Sequence, residues 1–78
     1  MTLNEAVAAR INGLLKERGL TQSEFEKKSG ISHERMQRLL LYKNKHISFR
    51  TARDLACGFN ISMAEFFRDP LFDAENLK

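Results

Sequence analysis

Five polar side chains fall within six residues between positions 33 and 38: His33, Glu34, Arg35, Gln37 and Arg38. Together they hold the donors and acceptors that read the edges of base pairs. Arg38 can donate a bidentate pair to guanine O6 and N7, and Glu34 can accept from cytosine N4. His33 can donate to guanine or accept from adenine N6. Each well-made base contact is worth roughly 1–3 kcal/mol of discrimination. The bland readings stand beside these. Glu34 could pair with Arg38 at i+4 rather than read a base, and His33 could be a plain surface histidine. A second basic group follows, with Lys43, Lys45, His46, Arg50 and Arg53. Cations just beyond a base-reading helix suit phosphate contacts that set register.

Such side chains need a helix that turns them outward. Ser32 is an N-cap candidate immediately before them, and Met36 and Leu39 are the apolar positions that face inward. Upstream, Thr21-Gln22-Ser23-Glu24 reads as a capping box that opens a short helix ending at Gly30. Gly30-Ile31-Ser32 then makes a three-residue turn. A short helix, a tight turn at glycine and a second short helix offered outward have the length and punctuation of a helix-turn-helix unit.

Five helices account for the rest of the chain. They span about 3–18, 22–29, 33–41, 49–59 and 63–67. Thr2-Leu3-Asn4-Glu5 and Ser62-Met63-Ala64-Glu65 repeat the capping-box pattern, and Ser48 is a further N-cap. Gly19, Gly30 and Asn60 are the residues expected to stop helices in the left-handed conformation. The expected apolar faces are Val7, Ile11, Leu14 and Leu15 on the first helix, Phe25 on the second, and Phe49, Ala52, Leu55, Ala56 and Phe59 on the fourth. Cys57 is expected near the core. No alternating strand pattern or internal repeat occurs, so the fold class is all-α.

The ordered series Gly19-Leu20-Thr21-Gln22, Gly30-Ile31-Ser32, Leu55-Ala56, Phe59-Asn60-Ile61-Ser62 and Glu65-Phe66-Phe67 resembles the Cro/C1-type (XRE) family of regulators. The likeness spans roughly residues 6–67. It implies a five-helix lambda-repressor-like DNA-binding domain over 1–68, with 69–78 as a C-terminal tail in which Leu71, Phe72 and Leu77 could dock. It places His33, Glu34 and Arg38 where base-reading side chains lie. It gives Gln22 and Ser32 roles in phosphate contact and in support of the recognition helix, and Arg35 either role. The sequence departs from the family at three places. Glu26 stands where a small residue is usual, so it must tilt outward or open the helix angle. Leu40-Leu41-Tyr42 replaces the usual Glu-Gly, which suggests a longer third helix and an apolar patch with a further use. The usual loop proline is missing.

Composition bounds the alternatives. A chain of 78 residues with 42% apolar residues makes one small domain, for which pairing with a second copy would help stability. Residues 1–60 hold 11 Lys/Arg against 6 Asp/Glu, and residues 61–78 hold 2 against 4. A basic body favours a polyanion. One cysteine excludes an internal disulfide and fits a cytoplasmic protein. No signal peptide, membrane span, metal-ligand spacing, cofactor motif or catalytic constellation stands out. The expectation is a transcriptional regulator, a repressor that binds double-stranded DNA as a homodimer. The competing expectation is an antitoxin-like or other protein-interaction module on the same fold.

Overall fold

A computed structural model describes residues 1–41 and 47–77. Five α-helices follow in order: α1 (Leu3–Arg18), α2 (Gln22–Ser29), α3 (His33–Leu40), α4 (Phe49–Gly58) and α5 (Met63–Phe66). Two 3₁₀ turns, Pro70–Phe72 and Ala74–Asn76, come last. α1 and α2 have the bounds expected from sequence. α3, α4 and α5 each stop one residue earlier, because Leu41, Phe59 and Phe67 serve as their C-caps.

Every helix starts on a hydroxyl side chain. Thr2 and Thr21 form complete capping boxes with Glu5 and Glu24. Ser32, Ser48 and Ser62 each accept from the backbone N–H three residues on. Each cap satisfies an orphan donor of the first turn, and its loss to alanine costs about 1 kcal/mol. Gly19, Gly30 and Asn60 all take positive φ, as their punctuation implies.

The core joins all five helices. Val7, Ile11, Leu14 and Leu15 of α1 meet Phe25, Met36, Leu39, Leu55, Phe59 and Phe66. α1 packs on α3, α2 on both α3 and α4, and α4 on α5. Phe25 stacks on Phe59 with ring centroids 4.1 Å apart. This stack is possible because α2 and α4 come very close at Gly58. A Cβ there would lie 2.6 Å from Ser29 Cβ and 2.8 Å from the Phe25 ring.

Two core expectations are corrected. Phe49 is 86% exposed. Its angular spacing puts it in line with Ala52 and Ala56, but it is the first residue of α4. Helical Cβ atoms lean toward the N-terminus, so its side chain runs off the end of the core. Cys57 is exposed as well, on the outer face between buried Ala56 and the Gly58 contact. The segment after α5 is packed. Phe72 joins Phe66 and Phe67 in an aromatic cluster, with centroids 4.9 Å apart for Phe67–Phe72 and 5.0 Å for Phe66–Phe67. Arg10 of α1 clips this end together. Its guanidinium donates to the carbonyls of Phe66 (2.8 Å) and Glu65 (3.0 Å) and pairs with Asp69 at 3.3 Å.

Candidate nucleic-acid interface

The turn between α2 and α3 is built from three residues with separate tasks. Gly30 takes φ 75°, a conformation in which any Cβ is strained. Ile31 is buried and anchors the turn in the core. Ser32 accepts from Arg35 N–H at 3.2 Å and starts α3. Met36 and Leu39 are buried beneath α3, so its opposite face is presented to solvent with His33, Glu34, Gln37 and Arg38 all exposed. The three expected base readers therefore share one surface.

Both arginines of α3, and its first residue His33, lie against a carboxylate. Arg38 Nη2 lies 2.7 Å from Glu34 Oε1, both well exposed. Arg35 reaches back to α4, donating to Thr51 Oγ1 at 3.3 Å and lying 3.5 Å from Asp54 Oδ2. His33 Nδ1 is 2.9 Å from Glu26 Oε2. The same Glu26 oxygen accepts from Gln22 Nε2 at 2.9 Å. Hydrogen bonds from Gln22 and then His33 hold the Glu26 carboxyl below the ordinary carboxylate range. Gln22, Ser23, Glu26 and His33 line an open cleft of about 310 Å³ between the two helices.

This geometry resolves the departure at position 26. The Glu26 side chain lies between the two helices, 15% exposed, and its carboxylate bridges α2 to the first residue of α3. Gln22 supports α3 through that bridge. Arg35 is turned toward α4, so it ties α3 to the rest of the domain. Asp54 and the Glu26–His33 contact were missed in the sequence reading. The only available signal for Glu26 was a charged residue at a position where small ones are usual.

Arg50 is exposed on the first turn of α4, and neighbouring Arg53 lies 3.5 Å from Asp54. With Phe49 and Met63 they line another open surface cleft. Lys43 and Lys45, along with Tyr42 and His46, lie outside the described residues. Leu40 packs on the core and Leu41 is 56% exposed, so the expected apolar patch is divided between core and surface. A second apolar site lies at the start of α4: exposed Phe49 borders a groove of about 110 Å³ lined by Leu3, Val7, Ile47, Ala52 and Phe67.

Among the described residues, no three His, Cys, Asp or Glu side chains gather as metal ligands. Among the same residues, no helix is long and apolar enough to cross a membrane. A family described as Helix-turn-helix (HTH_3) matches residues 11–66. No curated protein and no solved structure matches the chain.

Proposed function

The chain belongs to the helix-turn-helix family of Cro/C1 type, a family of DNA-binding regulators, and from that premise we propose that it is a cytoplasmic repressor that reads duplex DNA as a homodimer. The supporting observation is the presentation of α3. Its inner face is buried through Met36 and Leu39, its start is capped by Ser32, and its outer face offers His33, Glu34, Gln37 and Arg38. Rigid placement of a few base-reading side chains in the major groove is what sequence recognition requires. Arg38 reads guanine, and Glu34 reads a cytosine close to it, in place of their mutual pair. Gln22, Ser32, Lys43, Lys45 and Arg50 contact or support phosphate contacts, while Arg35 positions the helix. A two-fold dimer would then read half-sites about one helical turn apart, roughly 34–36 Å.

A protein-interaction role, as in an antitoxin, is the second reading. Phe49 favours it: an aromatic ring 86% exposed beside an apolar groove is a feature of partner surfaces.

One experiment separates the readings. Bound duplexes are selected from a random pool, and the affinity of the winner is measured across salt. Regulation through DNA predicts a two-fold symmetric site, lost on Arg38→Ala, with log affinity falling against log salt at a slope near −5 for about six phosphates. An interaction module instead predicts no enriched motif and a protein complex that survives high salt and is lost on Phe49→Ser. Absence of any enriched site would overturn the repressor reading.

A further inference from the structure

We infer that Glu26 sets base preference through His33: it holds the proton of the neutral His33 ring on Nδ1, leaving Nε2 as an acceptor on the outer face of α3, so that His33 selects a base that donates, adenine N6 or cytosine N4. This rests on the DNA-binding reading above. Glu26 is a positioning residue here, and His33 makes the contact.

The contact with Glu26 locates the ring proton, and the contact with Gln37 is compatible with it. An ionised carboxylate only accepts, so Nδ1, 2.9 Å from Glu26 Oε2, must donate. The Gln37 amide, 3.4 Å from Nε2, can turn its nitrogen to donate to an accepting Nε2. The Glu26 carboxylate is also held by Gln22, which donates to the same Oε2, and its side chain is only 15% exposed, against 67% for His33. Its depressed pKa keeps it an acceptor. Glu34, the residue after His33 in the chain, is engaged by Arg38. In the major groove adenine N6 and cytosine N4 are the donors, whereas guanine and thymine present acceptors. A ring accepting through Nε2 satisfies the first pair. A ring released from Glu26 can carry its proton on Nε2 and satisfy the second.

The first measurement is the two-bond ¹H–¹⁵N correlation spectrum of His33 in the free full chain, at a pH where its ¹⁵N shifts report a neutral ring. The wild type is expected to show the Nδ1–H tautomer, and Glu26→Ala a shift toward Nε2–H. Site selection follows, with the position read by His33 identified as the one whose preference His33→Ala removes. There the wild type is expected to favour adenine or cytosine, and Glu26→Ala to reduce that preference about tenfold or turn it toward guanine or thymine. An Nε2–H ring in the wild type overturns the inference even if Glu26→Ala fails to fold. So does a preference at this position that Glu26→Ala leaves intact while the site is still bound. Failure to enrich any site overturns the DNA reading and the base assignment with it, and the ring spectrum decides the tautomer separately.

Discussion

Arg35, His33 and Arg38 sit within six residues of one another, yet each meets a carboxylate from a different direction. The Arg38–Glu34 contact is an i,i+4 pair and follows from helical spacing alone. Those of His33 with Glu26 and Arg35 with Asp54 cross between helices. They depend on how α2 and α4 lean against α3, and hydrophobic periodicity does not specify that angle. The outward face of α3 was therefore legible in the sequence, while the direction taken by Arg35 was not. A consequence can be measured. Exposed pairs such as Arg35–Asp54 contribute about 0.2–1 kcal/mol, so Arg35→Ala should be only mildly destabilising. It should weaken binding to the best site several-fold with the salt slope nearly unchanged. A slope reduced by about 1 would instead mark Arg35 as a phosphate contact.

At the level of elements, hydroxyl caps marked the starts of all five α-helices, and left-handed stops the ends of α1, α2 and α4, because both act locally. A cap needs only its own first turn, and Asn60 needs only its own backbone. Phe49 was misplaced because periodicity reports the angle around a helix axis and carries no information on how far the core extends along it. Gly58 carried no sequence signal, since its role depends on Ser29 and Phe25 from another helix. Gly58→Ala gains helix propensity of about 1 kcal/mol. Overpacking against Phe25 should outweigh that gain, with a net loss of about 1–2 kcal/mol in a urea melt. A stabilised variant would show that α2 can give way without cost.

Over the whole molecule, the chain closes on itself at the end of the bundle formed by α5 and the 3₁₀ turns. Arg10, Asp69 and Phe72 bind the segment after residue 68 to α1 and α5. Sequence reading could name Leu71, Phe72 and Leu77 as docking candidates but could not choose among them, because the choice depends on where Phe66 and Phe67 leave space. Phe72 is the one packed on the core. Stability in acid is a property of this whole assembly. The backbone N–H groups of Thr2 and Thr21 hold the Glu5 and Glu24 carboxyls below their ordinary range, and Gln22 and His33 do so for Glu26. Groups with depressed folded-state pKa values stabilise above the ordinary carboxylate range, and that contribution is lost as pH falls through the folded values. Melting temperature should thus hold steady from neutral pH to about pH 5 and then decline. The decline should be shallower in a Glu5→Gln, Glu24→Gln double variant. An identical pH profile in that variant would mean the capping carboxylates do not contribute.

The contact at Gly58 also constrains how such a chain can diverge. A methyl group added there has no room unless Ser29 or the Phe25 ring recedes at the same time. Positions 25, 29 and 58 should then change together over descent rather than singly, and substitutions among them should be non-additive. Because Ser29 is the last residue of α2, just before the turn into α3, a lineage that relaxed this contact would also re-aim α3. On the proposed DNA-reading role, new operator preferences would then arise with no change in any residue that touches a base.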